Sequence, residues 1–280
     1  MNRKIRLFGG EVEIELYGLD EGFGEVIFSD ITEEALRLQK IFNLYDPASE
    51  LSLLNRKRHL EVSKEMLHVL NLSERFYKMT EGRYDISKGK EFVARKNNKP
   101  VSCVSCRFTD ILIKGSEVYL ENPDILVDLG SIAKGYIVDK LVEYIQEIGI
   151  GSAFIDARGD MRIYGDNHET VAIQHPRDSA KTMSPIRLHN QAIATSGDYN
   201  QNNGCFRENH IVGSKDLASA TIVSNDLADA DGLATSLMLL GKSGAIKLLK
   251  ELKNPALLIG EDMEIMKMNG YEELEYGTQG

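Results

Sequence analysis

The chain has 280 residues, 42% of them hydrophobic and 27% charged, enough to bury a real core as one large domain or two closely packed lobes. Its 33 basic and 43 acidic residues leave a formal net charge of −10, which argues against nucleic acid or an anionic membrane as partner but leaves room for a local basic pocket that takes a diphosphate. No apolar run is long enough to span a bilayer. The first residues are basic, with no apolar signal core before Gly9 and no nearby lipid-attachment cysteine, so the sequence reads as cytoplasmic. The 3 cysteines, Cys103, Cys106 and Cys205, are an odd number, which disfavours a disulfide framework. Cys103 and Cys106 form a CxxC with no second pair and no paired histidine, and read as ordinary thiols in a loop.

In chain order, residues 3–17 read as a hairpin: Ile5 and Leu7 alternate, Gly9-Gly10 turns, and Val12, Ile14 and Leu16 alternate again. Residues 31–44 form an amphipathic helix with Ala35, Leu38, Ile41 and Phe42 on one side; Pro47 ends it, and Ser49-Glu50 starts a short second helix. Ser63 caps a helix reaching about Thr80, closed by Gly82. The stretch 88–100 reads as a polar, basic loop, and 111–127 as a further hairpin whose apolar strand 125–127 delivers Asp128.

A Gly130-Ser131 turn follows, then a helical spacing of Ile137, Leu141, Tyr144, Ile145 and Ile148 stopped by Gly149. A strand, a tight glycine turn and a helix start aim backbone N–H groups at an anion. Lys134 stands in the first turn, where helices disfavour a cation, and so indicates a negative ligand. Spacing alone leaves a plain corner with a solvated lysine equally open.

Residues 152–156 are a buried strand before Arg158-Gly159-Asp160, where a single glycine remains to take an unusual φ. Residues 170–174 are a strand ending at His175, which reads as structural or exposed. The segment 192–199 is a strand ending in hydroxyls and a glycine turn, suited to hydrogen-bonding a phosphate or adenosine. After the strand 219–223, Asp231 and Thr235 lie four apart at a helix start, oxygens on one face, with Asp231 expected to be partly exposed. They are hard ligands suited to Mg²⁺; the alternative is an acid favoured by the helix dipole and a threonine bonded back to its own helix. A separate helix over 243–252 and a strand over 256–259 follow, and 271–280 reads as a ragged acidic tail.

Asp128-Leu129-Gly130-Ser131-Ile132-Ala133-Lys134-Gly135-Tyr136 resembles the signature of the FAD:protein FMN transferases, the ApbE family. Four further stretches resemble that family's motifs in its order, so the likeness covers nearly the whole chain: 45–55, 82–87, 192–199 and 230–241. The chain departs from the pattern at Phe8-Gly9-Gly10, where the family has Met-Gly-Thr, and at Arg158, where it has glycine. It also lacks the tryptophan of the loop after Ser87, carries Gly232 for alanine, and has Gly213-Ser214-Lys215 after His210-Ile211-Val212.

Alternating hairpins and helices without repeated βαβ units indicate an α+β fold. The resemblance implies two interleaved α/β lobes with a flavin cleft between them, a single domain over 1–270 and the tail beyond. It implies Mg²⁺-dependent transfer of FMN from FAD to a Thr or Ser hydroxyl of an acceptor flavoprotein, releasing AMP. An FAD pyrophosphatase and a non-catalytic FAD-binding carrier are the alternatives. Phe8 and Tyr45 would touch the flavin, Arg83, Tyr84 and Asp85 would border its ring or ribityl chain, and Asp128 would hold a polar end. Thr195 and Ser196 would bind the dinucleotide, and Val212 with Ile211 would contact the flavin through backbone. Asp231, Thr235 and the Ser131 carbonyl would hold the metal, Lys134 would help neutralise the diphosphate, and His210 would activate or position the acceptor hydroxyl.

Overall fold

A computed structural model describes residues 1–19, 21–97, 99–100, 105–183, 185–198 and 216–276. His210, Val212, Cys103 and Cys205 lie outside the described residues. The fold is α+β. The chain opens with the expected hairpin, β1 (Asn2–Leu7) and β2 (Gly10–Leu16), turned at Phe8 and Gly9, both with positive φ.

Helix α1 (Glu21–Phe42) begins ten residues before the expected start. Its inward face already recurs at Ile27, Phe28 and Ile31. A Cβ at Gly24 would run into the Met1 side chain. Helix α2 (Glu50–Lys57) is capped by Ser49, whose Oγ accepts from Ser52 N at 3.0 Å. After β3 (His59–Glu61), α3 (Lys64–Met79) starts at Ser63 in the same way.

The expected loop over 88–100 contains helix α4 (Gly89–Lys96), whose charged composition hid it. The hairpin β4 (Ile111–Lys114) and β5 (Glu117–Leu120) pairs with β3 in a three-stranded sheet. Residues 125–127 are not the expected ladder strand: Leu126 makes a single parallel bridge to Lys88. The Asn55 side chain takes the place of a neighbouring strand, with Oδ1 accepting from Val127 N at 2.7 Å and Nδ2 donating to Val127 O at 2.9 Å.

Helix α5 (Ala133–Glu147) leads to β6 (Ala153–Ala157) and β7 (Asp160–Tyr164). Arg158 takes up the positive φ that its missing glycine would have carried, at 64° beside Gly159 at 96°, and its guanidinium donates to Phe8 O at 2.8 Å. The strand expected over 170–174 lies instead at β8 (His168–Val171), set by pairing with β9 (Ile186–His189). Strands β10 (Ala192–Gly197) and β11 (Leu217–Ser224) precede α6 (Leu227–Leu252), followed by β12 (Ala256–Gly260) and β13 (Ile265–Met268). The helix expected to start at 243 is the second half of α6, which breaks at Gly241 with φ 68° and ψ 179°.

The main sheet runs β1-β2-β6-β7-β10-β11-β12-β13. Both faces are covered, and strand period decides which residue goes where. On β10, Ala192 and Ala194 face the helices while Ile193 faces the other way; on β12, Ala256 and Leu258 oppose Leu257 and Ile259. The second face is closed by β8, β9 and a short turn at Tyr271–Leu274. Residues 271–276 are therefore not the expected ragged tail: Tyr271 is 1% exposed, and Tyr276 N donates to Pro185 O at 2.8 Å. Among the described residues no helix is long and apolar enough to cross a membrane.

Candidate active site

The helices α5 and α6 meet with their first turns side by side, next to the ends of β7 and β10. Lys134, in the first turn of α5, lies against the Asp160 carboxylate at the start of β7, and its Nζ is 3.5 Å from Asp231 Oδ2. The three side chains are mostly buried, at 20%, 11% and 9% exposure, so water screens these charges weakly. Asp231 Oδ2 also faces the backbone N–H of Gly135 at 3.3 Å. The anion at this helix N-terminus is thus supplied, at least in part, by the chain itself.

Asp231 is 6% exposed, contrary to the expected partial exposure, because it stands one turn inside α6 rather than at its mouth. Thr235, one turn further on, has its Oγ1 3.2 Å from Ser196 Oγ on β10. The self-bonding hydroxyl on this helix is Ser236, which donates to Gly232 O at 2.7 Å. Thr195 donates its backbone N–H to Asp160 Oδ1 at 3.1 Å, and its Oγ1 meets Thr221 Oγ1 at 2.9 Å. Asp160 therefore ties Lys134 to the Thr195-Ser196 strand end.

Tyr84 is 2% exposed, and its hydroxyl shares a 2.8 Å hydrogen bond with Ser131 Oγ. Burial holds its phenol far above the ordinary tyrosine range, and the Asp231 and Asp128 carboxylates add to the effect. Its ring packs on Phe76 at 5.4 Å, and Phe76 fills the space left by Gly232. Asp128 Oδ1 accepts from Gly130 N at 2.8 Å, forming the turn that presents Ser131. Asp128 N donates to Ile86 O at 2.9 Å, which joins this turn to the segment after Tyr84.

The structure thus gathers Tyr84, Asp128, Ser131, Lys134, Thr195, Ser196, Asp231 and Thr235. The other described candidates stand outside this web of contacts. Asp85 accepts from Ser87 N and Oγ at 3.0 and 2.7 Å, and burial raises its carboxyl above the usual range despite those donors. Arg83 is exposed, and Tyr45 is 63% exposed beside α2. Phe8 sits in the first hairpin turn, its N–H donating to Gln39 Oε1 at 2.7 Å. Cys106 lies in a loop, as expected, but is buried there against Ser87, its Sγ 3.7 Å from Ser87 Oγ.

Two residues absent from the expected site belong to it. Asp160 follows Arg158-Gly159, and its signal was the acid closing that turn; Asn55 closes the stretch 45–55, and its signal was an amide within a capped helix. A groove of about 910 Å³ between β1 and α1, lined among others by Arg3, Glu25, Phe28 and Arg37, contains none of the candidate residues.

The ApbE family model matches residues 8–259. The FAD:protein FMN transferase of Vibrio cholerae serotype O1 is 28% identical over 246 residues, covering 77% of this chain and 73% of its own. That of Escherichia coli K12 is 25% identical over 245 residues, covering 75% and 70%. Among solved structures, the flavin transferase ApbE from Vibrio cholerae matches with a TM-score of 0.84 at 23% identity over 98% of both chains. The ApbE protein from Thermotoga maritima matches with a TM-score of 0.85 at 21% identity, over 99% of this chain and 100% of its own. At that identity the structural likeness is one of fold; with the family match spanning nearly the whole chain and the motif residues converging on one cluster, the chain belongs to the ApbE family.

Proposed function

We propose that this chain transfers FMN from FAD to a Thr or Ser hydroxyl of an acceptor flavoprotein and releases AMP. The observation that carries the reading is the convergence of Lys134, Asp160, Asp231, Thr235 and Ser196 in one mostly buried cluster, in a chain of this family. In the transfer, the acceptor oxygen bonds to the FMN-side phosphorus, the bond from that phosphorus to the bridging oxygen breaks, AMP leaves with that oxygen, and the hydroxyl proton goes to a base. Little covalent chemistry is asked of the protein, so positioning and charge neutralisation dominate.

The donor set suits Mg²⁺. Among the described residues no group of three His, Cys, Asp or Glu side chains gathers, so a site here relies on one carboxylate with neutral oxygens and substrate phosphates. Asp231, Thr235 and the Ser131 carbonyl would hold the ion, which when bound neutralises the diphosphate. Lys134 contributes a second positive charge, kept in place by Asp160. Tyr84 and Asp128 fix the Ser131 turn, and Asp128 also meets a polar end of the flavin. Arg83, Asp85, Phe8 and Tyr45 border the flavin side of a cleft between two interleaved lobes, and Thr195 and Ser196 bind the dinucleotide. From the segment outside the described residues, Val212 contacts the flavin through backbone and His210 takes or orients the acceptor proton.

The test is to mix the protein with FAD, Mg²⁺ and a flavin-acceptor domain and weigh the acceptor by mass spectrometry. The expected result is an acceptor heavier by one FMN less a water, with AMP released in equal amount. AMP without the mass gain assigns a pyrophosphatase, and bound, uncleaved FAD assigns a carrier; either result overturns the transferase reading. His210→Ala is expected to slow transfer by roughly 10²–10⁴-fold, the usual weight of a general base, with FAD affinity nearly unchanged. An intact rate removes His210 from the mechanism.

A further inference from the structure

The helix that carries Asp231 and Thr235 and the helix that follows the Ser131 turn exchange carboxylates. Asp231 of α6 accepts from Gly135 N in the first turn of α5. In return Asp139, one turn further along α5, reaches the first turn of α6: its Oδ1 accepts from Leu227 N and its Oδ2 from Ala228 N, both at 2.8 Å. Helix α6 needs this outside help. Asp226, the residue flanking it, makes no side-chain cap bond, and the first N–H groups of a helix have no partner within it. The crossing is tight, since a Cβ at Gly135 would run into the Leu227 carbonyl. Asp231 stands about one turn beyond the capped N–H groups on the same rigid rod, so a slip at Leu227 carries to Asp231.

The groups facing Asp139 are Arg162 on β7, whose Nε is 3.8 Å from Oδ1, and the Asp226 carboxylate ahead of α6. Burial pushes the Asp139 carboxyl up to about 7; Asp226 adds to this, while the two N–H donors and Arg162 oppose it. The chain thus keeps an unfavourably buried carboxylate at this crossing.

We propose that Asp139 is a positioning residue: by capping α6 from α5 it sets the height of one helix against the other, and so the placement of Asp231 and Thr235 relative to Ser131 and Lys134. The inference rests on the metal reading of Asp231 and Thr235 given above. It is tested by titrating Mn²⁺, followed by electron paramagnetic resonance, into the FAD complexes of wild type, Asp139→Asn and Asp139→Ala. Hydrogen exchange at the Gly135 amide is measured on the same proteins without metal.

Asp139 supports the helix that carries Asp231 rather than touching that ligand, so Asp139→Ala is expected to lower Mn²⁺ affinity by about 10-fold, the lower end for loss of an outer support of a metal site, with faster exchange at Gly135. Asp139→Asn keeps one acceptor oxygen and is expected to lie between; it decides the matter if the alanine variant fails to fold. Double capping needs the ionised carboxylate, because protonation turns one oxygen into a donor and strands one N–H. Wild-type Mn²⁺ affinity is therefore expected to rise as pH rises through about 7, and that step is expected to be absent in Asp139→Asn. Folded variants with wild-type Mn²⁺ affinity and Gly135 protection overturn the inference while leaving the metal reading intact. A wild type that binds no Mn²⁺ with FAD overturns both.

Discussion

Asp231 holds two partners at once, the Gly135 N–H and the Lys134 ammonium, in a place with 6% exposure. An acid that merely opened a helix would contribute about 1 kcal/mol or less through the dipole. Here its removal strands a buried donor and leaves Lys134 with Asp160 alone, which costs about 1–3 kcal/mol. Asp231→Ala is expected to lose that much in urea denaturation and to lose Mg²⁺-dependent transfer. Asp231→Asn, which keeps the shape and one acceptor, is expected to lose the transfer at a smaller stability cost; an unchanged rate in either removes Asp231 from the site. Gly232, its neighbour, shows a second effect at this scale. Alanine there gains roughly 0.5–1 kcal/mol of helix propensity. It also presses a Cβ into the ring of Phe76, which is fully buried and supports Tyr84. Overpacking a core costs about 1–3 kcal/mol, so the clash outweighs the propensity. Gly232→Ala is expected to lower stability by about 1 kcal/mol and to weaken FAD binding through Tyr84 and Ser131; a more stable variant with unchanged binding would refute this.

Helix α6 is one element with two jobs, and Gly241 divides them. Its φ of 68° with ψ of 179° falls in a region open to glycine almost alone. The break frees Lys242 N to donate to Asp216 Oδ1 at 3.0 Å, which starts the second half of the helix afresh. Gly241→Ala is expected to destabilise by about 1–3 kcal/mol in urea denaturation, the cost of a strained residue. If the variant instead gains stability, the break is not required and the helix runs straight. Element ends were legible where local chemistry sets them: Ser49 and Ser63 cap α2 and α3 through their own hydroxyls. They were illegible where a distant group does the work. The start of α6 is held by Asp139, 88 residues away from Leu227, and Val127 is held by the Asn55 side chain rather than by a neighbouring strand.

For the whole molecule, the main sheet buries both faces, and the second depends on the end of the chain. Tyr271 is 1% exposed in that smaller core, and its hydroxyl has no partner among the described residues. Removing the ring leaves a cavity, whereas removing only an unpaired hydroxyl is nearly neutral or favourable. Tyr271→Ala is expected to cost about 3 kcal/mol. Tyr271→Phe is expected to leave the melting temperature unchanged or raise it. A phenylalanine variant as unstable as the alanine one would mean that the hydroxyl is bonded in solution.

Alternation and helical spacing by themselves determined the α+β class, the first hairpin, the capped helices and the strands around Ile193 and Leu258, because each depends on residues adjacent in the chain. The motif residues also named most of the cluster: Tyr84, Ser131, Lys134, Ser196, Asp231 and Thr235. What only the tertiary structure decided is who faces whom. Lys134 lies against Asp160 and Asp231, Asp231 is buried by the crossing of α5 and α6, Arg158 reaches Phe8, and Tyr271 closes the second face. Each of these joins elements distant in sequence, and the burial and low dielectric that give them their energy exist only once those elements have packed together.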